Sequence, residues 1–558
     1  MEMLRHRDFH RGTHRSLAVV TVAGLLLAAA CTSNGNTKSN ATSTGTTSGG
    51  AHPASATLVV AMEQASLRTL DPNDAYEPAA FIFENALYST LVTFKSDNLR
   101  QLEPRVAQSW TVNDDGTEYT FKLDPKAVFS TGDPVTAADV VFSMQRFINL
   151  KGPGAFLLGG VSSVTSPSPD TVVFKLSAPD FTFPWILTSS ALGVSEAKVV
   201  KAHGGNDSTD ASTTDKAASW LDGHSAGSGP FVLDSWTRGQ QLVLSRNDNY
   251  WGAKPAYSKI IFKFVSDANT EQQLLKRGDA AIAIDLTPDQ VAGLRSDQNI
   301  GVAKAPALNQ IYMGWSAAGT NPALAKTDNW TAMKYAINYK NLVSLAQGAA
   351  VQAGSVVPSA LEGALPPEDG FSQDVAKAKA ALAAAGNPDG FSFTLSYASD
   401  ETAAGLPMSL VAGAIQNDLA AVGIKAKLDP ELEVNFLSAY RTGKLEAVVH
   451  GWANDYPATS DFLPVFVPPG TVAVKRQHWP ASASNQQIVD LAANAFKTKD
   501  DTQRASMITQ ALKLVNQLGP YAPLLDTEYQ FPYDKSKVAG VTANSLWFLD
   551  LDTMTPAS

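Results

Sequence analysis

The sequence predicts a mixed α/β fold. Ahead of residue 316, short segments alternate apolar and polar residues, which is the period-two pattern of β-strands. After Asn321 most segments show the 3.6-residue period of amphipathic helices, and only short strands interrupt them. No internal repeat of fixed period is visible, which argues against a solenoid. At 558 residues the chain is long enough for about three to four domains.

The strand-rich part opens with a strand at Thr57–Ala61 and a helix near Ala79–Leu91. Strands at Ser109–Val112 and Glu118–Leu123 flank an Asn-Asp-Asp-Gly turn at 113–116, which predicts a hairpin. A helix is predicted at Ala137–Phe147, with Thr136 and Asp139 as a capping box. Four strands follow, at Thr171–Leu176, Phe231–Trp236, Gln241–Ser245 and Lys259–Val265. Asp267 and Asn269 can cap a helix that ends at Arg277, with Gly278 as its C-terminal stop.

Helices dominate the part of the chain after Asn321. Their periodicity places them at Trp330–Ala346, Asp374–Ala385, Pro407–Val422, Asn485–Phe496 and Thr502–Leu518. Two short strands, Phe391–Ser396 and Glu446–Val449, interrupt this helical region.

The N-terminal 30 residues have the pattern of a secretory signal peptide. Four arginines precede a largely apolar run of 14 residues, Leu17–Ala30, which is too short to cross a bilayer comfortably as a helix. Small residues then lead into Cys31, and this placement resembles a bacterial lipoprotein signal, in which the cysteine is lipidated and becomes the new N-terminus. Leu27 lies one position earlier than in that pattern, and plain secretion is the alternative interpretation.

Residues 31–56 are predicted to be a flexible tether, because they are rich in Ser, Thr, Asn and Gly and contain almost no apolar surface to bury. The net charge is −10, and removal of residues 1–30 lowers it to −12. An acidic surface argues against nucleic acid as a partner, since phosphate binding needs clustered Lys and Arg. No later apolar run reaches 18 residues, so no transmembrane helix is predicted.

Several chemistries are excluded or weakened by composition. The single cysteine rules out a disulfide framework, an iron–sulfur cluster and a cysteine-based zinc site within one chain. Five histidines outside the signal segment, at positions 52, 203, 224, 450 and 478, show no metal-ligand spacing, although distant ones could still meet. Gly223–Gly227 matches the G-x-S-x-G pattern of serine hydrolases through Ser225, but the flanking residues favour a loop over a strand-to-helix elbow. We predict no cofactor and no catalytic residue.

The segment Gly451-Trp452-Ala453-Asn454-Asp455-Tyr456-Pro457 combines one acid with two aromatic residues at the end of a predicted strand. Strand ends are where open sheets place ligands, and an isolated carboxylate beside aromatic rings suits a cationic head group. The alternative is structural: Asp455 would cap a helix near Thr459–Phe466, and Trp452 would belong to the core.

Several blocks of sequence, in order, resemble the extracytoplasmic solute-binding proteins of ABC importers, specifically the peptide- and nickel-binding family 5. These blocks are Asp114–Leu123, Val128–Ser143, Gly227–Phe231, Arg246–Gly252, Asp267–Thr270 and Ala376–Leu382, and the resemblance covers nearly all of residues 57–550. It implies a binding protein, not an enzyme, with a clamshell fold in which two lobes close on a ligand and an extra domain is inserted.

The resemblance also implies a domain layout. Residues 57–88, 223–316 and 525–558 would form one lobe, residues 89–222 a smaller inserted domain, and residues 317–524 the other lobe. The crossings near residues 316 and 524 would act as the hinge.

In peptide binders of this family, an aspartate in a Trp-x-x-Asp-Tyr context pairs with the ligand ammonium, and that pattern falls on Trp452–Tyr456. The resemblance therefore makes Asp455, Trp452 and Tyr456 ligand-binding residues, while the backbone of Gly451 and Ala453 would pair with the peptide main chain. Dipeptide binders hold the ligand carboxylate with an arginine in the segment that matches Ser396–Leu406, and no arginine occurs there. A fixed dipeptide length is therefore not expected.

The resulting hypothesis is a monomeric receptor, lipid-anchored through Cys31 on the outer face of the bacterial cell membrane. It would capture an oligopeptide-like solute and deliver it to a permease whose ATPases are separate chains. Within the same family, an oligosaccharide or metal-chelate binder remains the alternative. From another class, the alternative is a secreted serine hydrolase that uses Ser225.

Overall fold

The structure is a computed structural model that describes residues 56–63 and 67–558. The predicted signal peptide, Cys31 and the tether as far as residue 55 lie outside the described residues.

The strands of the described residues are β1 Thr57–Glu63, β2 Val92–Lys95, β3 Asn98–Pro104, β4 Ala107–Val112, β5 Glu118–Leu123, β6 Val161–Ser168, β7 Thr171–Leu176, β8 Phe231–Thr237, β9 Gln241–Arg246, β10 Lys259–Val265, β11 Ile282–Ala283, β12 Ile300–Trp315, β13 Ala350–Gln352, β14 Ser392–Ala398, β15 Thr402–Ala403, β16 Leu406–Pro407, β17 Lys425–Glu431, β18 Ala447–Trp452, β19 Tyr521–Asp534, β20 Val538–Ala539, β21 Ala543–Asn544, β22 Phe548–Leu549 and β23 Thr555–Pro556.

The α-helices of the same residues are α1 Pro78–Leu87, α2 Ala137–Leu150, α3 Phe183–Ile186, α4 Ala197–Ala202, α5 Ala211–Thr214, α6 Ala218–Leu221, α7 Ala268–Arg277, α8 Pro288–Leu294, α9 Thr327–Ala336, α10 Tyr339–Leu345, α11 Val375–Ala384, α12 Met408–Ala420, α13 Glu433–Arg441, α14 Leu463–Phe466, α15 Gln486–Ala495 and α16 Asp501–Leu518. None of these helices combines the length and apolar character that crossing a bilayer requires.

Elements with strong local signals form where the sequence predicts them. The β4–β5 hairpin is confirmed, and its turn closes through a hydrogen bond from the Gly116 N–H to the Asn113 carbonyl. At the start of α2 the Asp139 carboxylate accepts from the Thr136 N–H at 2.9 Å, which confirms the predicted capping acid. Gly278 ends α7 with a φ of 75°, a left-handed conformation that glycine adopts without strain.

The single helix predicted over Trp330–Ala346 is wrong. The chain instead forms α9 and α10, which are separated at Ile337 and Asn338. The physical reason is local: Ile337 is extended, and the Asn338 side chain accepts a hydrogen bond from the Asn341 N–H at 3.1 Å, so that it caps a new helix.

One 11-stranded sheet runs through the molecule in the order β17-β14-β18-β12-β19-β11-β1-β10-β9-β8, with β13 beside β19. Its central strands β12 and β19, of 16 and 14 residues, pair antiparallel and join the two halves of the sheet. Their ladder is irregular between Pro306 and Gln310, where Leu308 has a φ of 48°. This irregularity lies inside β12, several residues before the crossing predicted near residue 316.

Three large apolar cores follow this layout. One draws on residues 58–88, 231–284 and 531–554, a second mainly on residues 91–194, and a third mainly on residues 308–525. A four-stranded antiparallel sheet, β4-β5-β7-β6, belongs to the second. The exact boundaries of the three predicted domains stay predictions.

Candidate ligand-binding site

The turn that carries the predicted ligand residues leaves the carboxyl end of β18. This strand pairs with β12 as far as Trp452, but its pairing with β14 involves only Ala447 and Val448. Within the described part of the chain, the edge of β18 from Val449 onward therefore has no strand partner on the β14 side. Such an edge can accept another extended chain.

Two polar side chains approach Gly451 closely. A Cβ atom there would stand 2.7 Å from Asn309 Oδ1 and 3.3 Å from Glu401 Oε1. A larger residue at position 451 would therefore make these two side chains shift, whereas Ala453, two residues on, is exposed.

The Trp452 ring is half-buried at the start of the turn. It packs edge-on against Phe466, with ring centres 5.7 Å apart, and the Arg476 guanidinium lies 5.3 Å from its centre. Its indole Nε1 is buried and has no hydrogen-bond partner. Trp452 therefore contributes to the core, as the structural alternative expects, and still offers an unused donor.

Asp455 is joined to a second carboxylate that the sequence analysis missed. The Asp455 N–H donates to Asp461 Oδ2 at 2.7 Å, and Asp461 is only 7% exposed. Burial raises the pKa of both carboxyl groups, and the charge of Asp455 raises that of Asp461 further. Neither carboxylate forms an ion pair with a cation among residues 56–63 and 67–558.

The helix-cap alternative for Asp455 does not hold in this geometry. The residues after the turn form a 3-10 segment at Thr459–Asp461 and then α14, and neither start shows a side-chain cap. The Asp455 carboxylate instead faces Asp461 and the buried Tyr76 hydroxyl, which has no hydrogen bond of ordinary geometry.

Tyr456 has a different environment from Asp455. Its side chain is buried and packs in the apolar core formed mainly by residues 91–194. The turn therefore anchors the predicted inserted domain, and the ligand contact assigned to Tyr456 stays a prediction.

A cavity of about 740 Å³ opens beside Pro457–Ser460, immediately after the turn. Its walls are rich in aromatic rings, which are Trp110, Tyr119, Phe181, Trp185 and Phe496. Arg504, one of its cations, is already paired with Glu362 at 3.0 Å and with Asp501 at 2.6 Å.

An acid stands in the segment where the resemblance expects an arginine. Glu401 Oε2 lies 3.1 Å from His450 Nδ1 on β18, and both side chains are mostly buried. A carboxylate at this position cannot bind a ligand carboxylate as an arginine would.

Ser225 is not on a nucleophile elbow. It lies in the loop between α6 and β8, so the order is helix, loop, strand. Its hydroxyl accepts from the Leu233 N–H at 3.2 Å, and His224 contacts the Trp220 carbonyl instead. The serine hydrolase hypothesis is therefore wrong. Among the described residues, no group of three or more His, Cys, Asp or Glu side chains is arranged to hold a metal ion.

Comparison with known proteins assigns the class. The profile of bacterial extracellular solute-binding proteins, family 5 (middle), matches residues 101–473 of the 558. The chain belongs to this family, whose members are substrate-binding proteins of ABC transporters and not enzymes. The mixed α/β architecture is accordingly the two-lobed, peptide-binding type of periplasmic binding protein with an extra domain, as predicted.

Individual relatives support the assignment over most of the chain. The probable D,D-dipeptide-binding periplasmic protein DdpA of Escherichia coli (strain K12) is 28% identical over 499 residues, which cover 88% of this chain and 92% of that protein. The glutathione-binding protein GsiB of Shigella dysenteriae is 28% identical over 495 residues, covering 84% and 88%. The structure of HbpA2 from Haemophilus parasuis superimposes with a TM-score of 0.78 at 25% identity, covering 90% of this chain and 100% of that one.

Proposed function

We propose that this protein is a lipid-anchored receptor that captures oligopeptide-like solutes and delivers them to the permease of an ABC importer. The solute would be recognised by its free ammonium group at the turn after β18. The names of the two sequence relatives, a dipeptide-binding and a glutathione-binding protein, support a peptide-like solute.

The observation that carries the proposal is the pair of carboxylates at Asp455 and Asp461. Two adjacent, largely buried carboxylates are costly unless a cation or a proton compensates them. The described part of the chain offers no such cation. A ligand ammonium would supply the charge and would donate charge-assisted hydrogen bonds.

The unpaired edge of β18 supports an extended ligand. From Val449 to Trp452 this edge lacks a strand partner on the β14 side in the described residues, so the backbone near Gly451 and Ala453 is suited to pair with a peptide main chain. The carboxylate of Glu401 disfavours capture of a ligand C-terminus close by. We therefore expect peptides longer than two residues, whose carboxylate stays solvated.

The direct test compares free and N-acetylated tri- and tetrapeptides by isothermal titration calorimetry. Asp455→Asn keeps the side-chain shape and removes the charge. Loss of a buried partner for the ammonium costs on the order of 2–5 kcal/mol, roughly 30- to 4,000-fold in affinity. Acetylated peptides should bind poorly to the parent protein and should be penalised less by the substitution.

Asp500→Asn is the matched control. Asp500 caps α16 by accepting from the Gln503 N–H at 2.8 Å, and asparagine caps equally well. Its affinity should equal that of the parent protein. If the parent bound free and acetylated peptides equally well, recognition of an amine would be refuted and an oligosaccharide would become the better candidate.

The membrane anchor rests on Cys31, which is the only cysteine in the sequence. Cys31→Ala should move the protein from the membrane fraction to the soluble extracytoplasmic fraction. Full retention on the membrane would rule out anchoring by lipid at this residue. We further propose that residues 57–88, 223–316 and 525–558 form one lobe, 317–524 the other, and 89–222 the inserted domain.

A further inference from the structure

A second acidic position lies on the sheet near the Asp455 turn. Asp526 of β19 is directly opposite Gln310 of β12, and Gln310 is directly opposite Trp452 of β18. Residues opposite each other in antiparallel strands point to the same face, with Cβ atoms about 5 Å apart. The three side chains therefore form one row across three strands, which we call the Asp526 row.

Each member of the Asp526 row keeps one polar atom unused. Asp526 Oδ2 accepts from the Ser359 N–H at 2.9 Å, but Oδ1 has no partner. Gln310 Nε2 donates to the Ser355 carbonyl at 2.7 Å, which leaves Oε1 without a partner. Both side chains are more than nine-tenths buried, at 6% and 0% exposed.

The unused atoms have a definite polarity. Asp526 Oδ1 and Gln310 Oε1 are both acceptors without a hydrogen-bond partner, while the Ser359 side chain lies beside Asp526 and the unused indole N–H of Trp452 belongs to the residue opposite Gln310. No lysine, arginine or histidine of residues 56–63 and 67–558 forms an ion pair with Asp526. Two adjacent buried acceptors call for a group with several N–H donors, such as an ammonium or a guanidinium.

The row and the Asp455 turn are connected through neighbouring segments of the chain. Trp452 ends the row and precedes Asp455 by three residues, and Ser355 and Ser359 lie in the segment that continues to Glu362. The Glu362 carbonyl accepts from Thr459 Oγ1, which follows the turn, at 2.5 Å. The segment that contacts Asp526 is therefore hydrogen-bonded to the segment that carries Asp455 and Asp461.

We propose that Asp526 and Gln310 form a second cation-recognition site in the same cleft, so that the preferred solutes are basic peptides with a charged side chain as well as a free ammonium. This inference rests on the proposed function, because it assumes that the ammonium occupies Asp455. The Asp526 carboxylate pairs with the side-chain cation, and Gln310 Oε1 accepts a further N–H from it.

The test uses alanine-based tripeptides that carry either lysine or norleucine at position one, two or three. The two residues have side chains of similar length, and only lysine is charged. At one position the lysine peptide should bind at least about tenfold more tightly than its norleucine counterpart, as expected for a buried charge-assisted contact. Asp526→Asn should remove this preference, because it keeps the acceptor for Ser359 and loses the charge.

Asp418→Asn is the control, since Asp418 of α12 also accepts one backbone N–H, that of Asn338 at 2.8 Å, and lies outside the row. It should keep the lysine preference. A second variant, Gln310→Lys, supplies the missing cation from the protein and should also abolish the preference, which tests the site independently at its other residue.

The outcomes separate the two proposals. If lysine and norleucine peptides bind equally at all three positions but acetylation still abolishes binding, the Asp526 site is refuted and the proposed function stands. Retention of the lysine preference in Asp526→Asn and in Gln310→Lys also refutes it. If no tripeptide binds, or if acetylation has no effect, the proposed function fails and this inference fails with it.

Discussion

Binding of an amine at the Asp455–Asp461 pair should be coupled to pH. Burial raises the pKa of both carboxyl groups in the free protein, so the pair holds a proton over part of the range above their ordinary pKa. A ligand ammonium favours the fully ionised pair. Binding should therefore expel a fraction of a proton, up to about one per complex, and affinity should rise with pH by at most about tenfold per unit.

At alkaline pH the affinity for the peptide should fall for a different reason. The α-amino group of a peptide has an ordinary pKa of about 8, so the ligand loses its charge above that value. The affinity should therefore rise with pH on the acidic side, where the carboxylate pair loses its proton, and fall again above about pH 8. Asp461→Asn removes one carboxylate and should flatten the acidic limb, whereas Asp500→Asn should leave it unchanged.

Calorimetry in phosphate and in Tris at one pH measures the released proton directly, because the two buffers differ in their heat of protonation. The expected result is a heat that depends on the buffer for the parent protein and much less so for Asp461→Asn. A dissociation constant that is flat from pH 5 to 7.5, with heats independent of buffer, would refute coupling between the carboxylate pair and the ligand.

Three further predictions concern stability and motion. Arg146 is fully buried against Asp71 at 2.6 Å and Asp215 at 2.8 Å, so Arg146→Met strands two buried carboxylates and should cost about 3–5 kcal/mol in urea unfolding. Lys198→Met, which breaks an exposed pair, should leave the urea midpoint nearly unchanged. Burial raises the pKa of Asp526 from 3.8 to about 7, so the folded state keeps a proton that the unfolded state releases, and the free energy of unfolding should fall as pH rises from about 4 to 7. Asp526→Asn should match the stability of the parent at pH 4 and exceed it at pH 8 by at most about 4 kcal/mol. An equal difference at both pH values would contradict the raised pKa of Asp526. A bound peptide should shift the population toward a closed form, lowering the radius of gyration in X-ray scattering, and an unchanged radius would count against clamshell closure.

Local signals were sufficient for much of the fold. The turn at 113–116, the capping acid Asp139 and the glycine stop at 278 each act within a few residues, so their geometry is encoded where they occur. The same locality made the turn at Trp452–Tyr456 visible as a candidate site. The split of the predicted helix at Asn338 also follows from a local cap, which the prediction overlooked because it relied on hydrophobic periodicity alone.

The central strands β12 and β19 could not be recognised in this way. Pro306 lies within β12, and Pro523 and Pro532 lie within β19, although proline is normally excluded from the middle of a sheet. A pattern search therefore does not predict strands there. Their strand conformation is stabilised by pairing with each other across more than 200 residues of sequence. Such pairing is a property of the folded chain, and no window of sequence contains it.

The sequence by itself determined the class of protein and predicted Asp455 as a recognition residue, because family blocks and a strand-end motif are contiguous. Only the structure showed that the turn folds Asp461 back onto the Asp455 N–H and buries it, and only the tertiary pairing of β12 with β19 set Asp526 opposite Gln310. In the sequence Asp526 is only a single acid that follows the apolar run Tyr521–Leu525, which by itself hardly indicates a binding site. What makes these acids chemically distinct is burial without a counter-charge, and burial depends on residues that are distant in sequence and adjacent only after folding.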